Sequence, residues 1–179
     1  MITNEYEYVT IDIYTDGSTK GNGTDNSVGG WAYLYLSGNE KIVTLTKHSE
    51  QVFNTTNNQM ELTAIIEAAK HITGSLYVNS FKHKHINIIT DSAYVYNCYM
   101  QKWYVNWQKN GWKNAKKEPV KNKELWEQLI PFFEDKDFTF QKVKGHSGDK
   151  YNEMVDSLAQ NAAIGKCVNT VTYTIKGVI

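Results

Sequence analysis

The chain has 179 residues, enough for one domain with a proper core and too few for a second full domain. Hydrophobic residues make up 41% and charged ones 21%, the mix of an ordinary globular protein, and no apolar run approaches the roughly 20 residues that a bilayer crossing needs. The 19 acids cancel the 19 bases, so net charge alone excludes no class of partner.

In chain order, residues 8–16 read as a first strand and VGGWAYLYL, 28–36, as a second, with Gly21, Asn22 and Gly23 in the connection. KIVTLTKHSEQVF, 41–53, alternates as a third, and the short connections predict an antiparallel meander. From Asn58 to about Ile72 the period becomes helical, with Met60, Ala64, Ile65, Ala68 and Ile72 at three and four. A fourth strand over 86–91, helices over 92–108 and 122–133, a fifth strand over 138–144 and a last helix over 149–163 complete the chain. Strands first, then strands separated by helices, predict an α/β fold: a five-stranded mixed sheet flanked by helices. The tail 165–179 is β-prone and is left unassigned, outside a domain spanning 1–164.

Two cysteines, Cys98 and Cys167, far apart and without a CxxC partner, argue against a disulfide framework or a zinc site. The start, MITNEYEY, lacks the basic and apolar regions of a signal peptide, so the expected location is cytoplasmic.

Two strands end alike. IDIYTDGS, 11–18, and INIITDSAYV, 86–95, both run through isoleucines into Thr-Asp and a small residue. An aspartate there commonly caps the next turn or helix. Ligands, however, gather beyond strand ends in such sheets, and two matching carboxylates, Asp16 and Asp91, suggest a site. Glu61 shares its helix face with Ile65, Ala68 and Ile72, which turns it toward the sheet, although Asn58 three residues earlier also fits a capping box with it. On the last helix Asp156 flanks the apolar stripe of Val155, Leu158, Ala159 and Ala162, beside Asn152. Four gathered carboxylates need compensating positive charge, and an all-oxygen ligand set suits Mg²⁺ or Mn²⁺. Two such ions are the usual device for hydrolysing phosphodiesters.

His146, between Gly145 and Ser147-Gly148 and just before the helix carrying Asp156, is a candidate proton carrier; His48, His71, His83 and His85 are read as solvated bystanders. Between Gln101 and Lys123 stand seven lysines against one acid, Glu118, interleaved with Trp103, Trp107 and Trp112. Every base in the chain is Lys, which removes the bidentate guanine contact of sequence readers, so a nucleic acid would be held through its phosphates without regard to sequence.

The pieces YTDGSTKGN, TTNNQMELTAI, ITDSAYV, WYVNWQKNGWKNAKKEPVKN and VKGHSGDKYNEMVDSLA, in this order, resemble cellular ribonuclease H of the bacterial type 1 family over about residues 8–164. The resemblance implies an endonuclease that hydrolyses the RNA strand of RNA/DNA hybrids with two Mg²⁺, Mn²⁺ being a substitute, and leaves 3′-hydroxyl and 5′-phosphate ends. It makes Asp16, Glu61, Asp91 and Asp156 the metal ligands and His146 the aid to proton transfer or product release. Asn22, Asn57 and Asn58 correspond to groove contacts, suited to minor-groove edges and 2′-hydroxyls. Thr56 falls at the DNA-phosphate site, and Lys113, Lys116 and Lys117 with Trp103 and Trp107 in a basic protrusion over about 101–123 that grips the DNA strand. Of the three tryptophans, Trp103 and Trp107 are favoured for the surface. Asn54, where relatives often have Arg, and Ala93, where a polar residue is common, depart from the pattern. The expected working state is a monomer without an obligatory protein partner or a membrane. A glycoside hydrolase with paired acids and a hybrid-binding module without turnover are the competing readings; chelation would silence the nuclease alone, and Asp16→Asn would leave a mere binder unaffected.

Overall fold

Tyr8–Lys20 forms the first strand, β1, because Val9, Ile11 and Ile13 alternate with polar residues, and these three are buried. In the computed structural model, which describes residues 8–38, 42–145 and 147–176, β1 pairs antiparallel with β2 (Val28–Gly38), and β2 with β3 (Ile42–Phe53). Helices α1 (Asn57–Thr73) and α2 (Leu76–Asn79) lead to β4 (His83–Thr90), which pairs parallel with β1. Then come α3 (Ala93–Gln101), α4 (Trp103–Lys109), α5 (Lys123–Glu134), β5 (Phe138–Lys142), parallel to β4, and α6 (Lys150–Ala162). The last element, β6 (Val168–Lys176), pairs antiparallel with β3, giving the order β5-β4-β1-β2-β3-β6.

Alternate residues of β2 divide the core. Trp31, Tyr33 and Tyr35 join the larger cluster with Ile11, Ile13, the apolar face of α1 and Trp126 of α5. Ala32 and Leu34 join Leu45 and the α6 residues Val155, Leu158 and Ala159 on the opposite face. The result is the expected mixed sheet covered by helices, with six strands in place of five. The sixth is the tail left unassigned from sequence: β propensity marked it as extended but carried no sign of its partner, which is the outer edge of β3.

Three local expectations change. The helix over 92–108 breaks at Lys102, whose φ of 51° both ends α3 and starts α4. A straight helix with Val95 and Cys98 inward would next turn Lys102 and Val105 to the core; the break brings in Tyr104 instead, 5.5 Å from the Phe133 ring. Helix α1 starts at Asn57, not Asn58. Its cap is Thr56, whose hydroxyl accepts from Gln59 N at 3.3 Å while Gln59 Oε1 accepts from Thr56 N at 2.9 Å. The capping box is therefore Thr56 with Gln59, not Asn58 with Glu61, and Glu61 is free to turn inward. Finally, His48 and His71 are not solvated loop residues. Each ring packs 5.6 Å from the Tyr33 ring, and burial with the neighbouring His48 holds His71 below the usual imidazole range.

Candidate active site

Register explains why the two aspartates stand side by side. The parallel pairing of β1 with β4 stops at Thr15 opposite Thr90, so Asp16 and Asp91 are the next residue on each of two adjacent strands. Neither caps a helix: β1 continues through Asp16 to Lys20, and the cap of α3 is Ser92, which accepts from Val95 N at 3.4 Å. The third group comes from α1. Its buried stripe of Met60, Ile65, Ala68 and Ile72 packs on the sheet, and Glu61 on the first turns is carried to the strand ends. One carboxylate oxygen from each of Asp16, Glu61 and Asp91 lies within 4.8 Å of the others.

Asp16 and Glu61 are each only 6% exposed. Burial pushes the Asp16 carboxyl up to about 8, reinforced by the charges of Asp91 and Asp156 and a side-chain hydrogen bond with Asp156. Burial, followed by Asp16 and Asp91, likewise raises Glu61 well above the usual carboxylate range, opposed by hydrogen bonds from the Gly17 N–H and the Asn57 side chain. Asp156 thus sits beside Asp16 on the half-buried flank of α6, where Gln160 Nε2 donates to its Oδ1 at 2.7 Å. Among the described residues, Glu61 Oε2 is buried without a hydrogen-bond partner. An orphaned carboxylate oxygen beside two other carboxylates fits a divalent cation, and the all-oxygen donor set fits Mg²⁺ or Mn²⁺ rather than a thiolate- or imidazole-seeking metal.

Two glycines that sequence reading passed over hold this arrangement together. A Cβ on Gly17 would run into the Glu61 backbone nitrogen and come within 2.7 Å of Met60 Cβ, so only glycine lets α1 approach β1 this closely. A Cβ on Gly145 would come within 2.7 Å of Asp91 Oδ2. The Asp-Gly pair at 16–17 was the available signal. Asn152, named beside Asp156 from the sequence, is buried one turn before it, and among the described residues its Oδ1 has no hydrogen-bond partner.

The other expected site residues lie in three places. Asn22 Oδ1 accepts from Asn57 N at 3.1 Å, and Asn57 Nδ2 donates to Glu61 Oε1 at 3.5 Å, which ties the 21–27 loop through α1 to the carboxylates. Asn58 is exposed beside them. Thr56, with Asn54 and Thr55, lines an open hollow of about 440 Å³ shared with Gly23, Thr24, Asp25 and Ser27. Trp103, Trp107, Lys109 and Lys113 line a groove of about 650 Å³; Lys116 and Lys117 are exposed on the following turn, held by Asn114 Oδ1 accepting from Lys116 N. Neither Trp103 nor Trp107 is a free surface residue: both, like Trp112, are half-buried against the core, and Trp107 stands 5.4 Å from fully buried Trp126. Ala93 is exposed. His146 lies outside the described residues.

The RNase H family model matches residues 9–164. The chain belongs to the ribonuclease H family. It is similar to Ribonuclease H of Clostridium botulinum (strain Hall), 43% identical over 153 residues, covering 85% of this chain and 94% of that one. A like match, 43% over 156 residues, joins it to Ribonuclease H of Syntrophomonas wolfei, again with 85% and 94% covered. Among solved structures it is similar to LC9-RNase H1, described as a type 1 RNase H with the type 2 active-site motif, at a TM-score of 0.75 and 25% identity over 95% of this chain and 78% of that one. The ribonuclease H is accordingly a hydrolytic nuclease, an endoribonuclease acting on the RNA strand of RNA/DNA hybrids. No described helix is long and apolar enough to cross a membrane.

Proposed function

We propose that Asp16, Glu61, Asp91 and Asp156 hold two Mg²⁺ ions, with Mn²⁺ able to replace them, and that cleavage of the hybrid is independent of sequence. The observation that carries this reading is the gathering of three carboxylates within 4.8 Å, with Asp156 electrostatically joined to Asp16. When bound, the ions supply an activated water and charge for the leaving oxygen. The chain's own groups do the rest. The Gly17 N–H fixes the Asp16 and Glu61 carboxylates, and Gln160 orients Asp156. Asn57 bridges Asn22 to Glu61, so a substrate seated on Asn22, Asn57 and Asn58 through its groove edges and 2′-hydroxyls is placed against the carboxylates. Thr56 takes a phosphate of the DNA strand, with Asn54 giving a weaker grip than a cation would.

Farther out, residues 101–123 act as a basic protrusion. Lys113, Lys116 and Lys117 meet DNA phosphates, while Trp103 and Trp107 present one ring face to the sugar-phosphate track and pack the other on the core. His146 moves a proton or helps product leave; Gly145, the residue before it, packs against Asp91. Since all four carboxylates come from one chain, the catalytic unit is the monomer, working in the cytoplasm without an obligatory partner.

The test is cleavage of labelled RNA/DNA hybrid, double-stranded RNA and double-stranded DNA, each with Mg²⁺ or chelator, by the wild type and Asp16→Asn. Cutting of the hybrid alone, only with metal, and lost in Asp16→Asn while hybrid binding persists, is expected. Turnover in chelator, or an Asp16→Asn variant as active as the wild type, would remove the metal-ligand assignment.

A further inference from the structure

The sheet ends in two different edges. β5 is only five residues long and ends in exposed Gln141 and Lys142, a short edge closed by a charge that discourages pairing with another chain. β6 is nine residues long, VNTVTYTIK, rich in Val and Thr, without proline, and uncharged until its last residue, Lys176. One side of β6 is bonded to β3; among the described residues, no strand pairs with the other. That leaves a row of backbone donors and acceptors open, the template that strand addition requires. The strand also lies beyond the 9–164 stretch matched by the family, so the nuclease machinery does not account for it.

We propose that β6 is a self-association edge, pairing antiparallel with β6 of a second copy of this chain about a two-fold axis at Thr172. The strand's alternation makes it self-complementary. Thr170 and Thr172 lie on one face, bonded to His48 and Thr46 of β3 at 3.1 and 3.0 Å. Val171 and Tyr173 lie on the other, where Lys47 Nζ stands 5.2 Å over the Tyr173 ring. Antiparallel pairing about Thr172 sets Thr172 against its equivalent and Val171 against Tyr173 of the second copy, twice, a β-branched residue against an aromatic one. It also sends the two Lys176 residues to opposite ends, so like charges never face. Antiparallel addition continues the β2-β3-β6 order, and an isologous contact of this kind closes at a dimer. A nucleic acid is the wrong occupant, since eight of the nine residues carry no charge. Asp16 lies on β1, three strands in from β6 at about 4.8 Å per strand, so the pairing leaves each carboxylate cluster open.

Sedimentation velocity on the full chain, over a series reaching about 1 mM, reads this directly, since so small an interface belongs to the weak class. A monomer–dimer equilibrium is expected. Val171→Asp should raise the dissociation constant about tenfold or more, and Val171→Thr should leave it nearly unchanged. Hybrid cleavage by both variants should match the wild type, which shows that they fold. Amide exchange on the wild type gives a reading without substitution: alternate amides of 168–176 gain protection as concentration rises. A chain that stays monomeric, a dimer insensitive to Val171→Asp, or β6 amides protected equally at every concentration because a segment of the same chain covers them, would each overturn the proposal.

Discussion

Replacing Gly17 by alanine tests whether catalysis depends on how closely α1 approaches β1. The added methyl would sit 2.5 Å from the Met60 carbonyl carbon and 2.7 Å from Met60 Cβ, and would overlap the Glu61 backbone nitrogen. Non-bonded carbons rest about 3.5–4.0 Å apart, so the start of α1 must retreat by about 1 Å. All the atoms met are backbone or Cβ, so no flexible side-chain end can yield in their place. The retreat takes Glu61 away from Asp16 and Asp91 and weakens the Gly17 N–H bonds to the Asp16 and Glu61 carboxylates. A misplacement of about 1 Å at a reacting centre costs about 100-fold in rate, and overpacking costs about 1–3 kcal/mol of stability. The assay is kcat on RNA/DNA hybrid against Mg²⁺ concentration, with circular dichroism confirming a folded protein. The expected result is a kcat about 100-fold lower, a higher Mg²⁺ requirement and a Tm lowered by several degrees. A folded Gly17→Ala protein with kcat within about twofold of wild type and an unchanged Mg²⁺ dependence would refute the reasoning.

Neutralising Lys113, Lys116 and Lys117 together should raise KM for the hybrid and flatten its dependence on salt, by roughly 0.9 in logarithmic slope for each phosphate no longer neutralised, with kcat largely intact. A loss confined to kcat would contradict the protrusion's role. The metal-free protein should lose stability as pH rises. Asp16 titrates near 3.8 when unfolded and at about 8 when folded, so the native state binds the extra proton between those values and its advantage, fully present below 3.8, is gone once pH passes about 8. Tm in chelator should therefore fall from about pH 5 to about pH 8 and level off above, and saturating Mg²⁺ should abolish much of that slope. A metal-free Tm that rises over this range would contradict the buried-carboxylate cluster.

The gathering of carboxylates at the candidate site is legible in the sequence because most of them break a local rule. Asp16 and Asp91 each follow an isoleucine-rich run, and Glu61 stands on an apolar helix face, so burial pattern alone marks them as out of place, although β1 runs on past Asp16 to Lys20. Asp156 was harder: helical period placed it beside the stripe of α6, but its closeness to Asp16 depends on how α6 crosses the sheet, which no local pattern records. The cap of α1 was misplaced because Thr56 with Gln59 and Asn58 with Glu61 both have the spacing of a capping box, and only the packed helix decides between them. The break at Lys102 was invisible for a related reason: nothing in QKWYV forbids a helix, and the burial of Tyr104 against Phe133 imposes the turn. His48 and His71 looked like solvated residues because histidine fits either setting, and their packing on Tyr33 needs β3 and α1 together. The tail shows the same limit. Its alternation gave the strand but not the edge of β3 it would join.

The most direct measurement of the central claim is the anomalous scattering of Mn²⁺ in crystals of the protein with an uncleaved RNA/DNA hybrid. Two peaks are expected, both within coordination reach of the carboxylates of Asp16, Glu61, Asp91 and Asp156 and of one phosphate of the RNA strand. Manganese bound elsewhere on the chain, or one of the four carboxylates turned away from every ion, would contradict it.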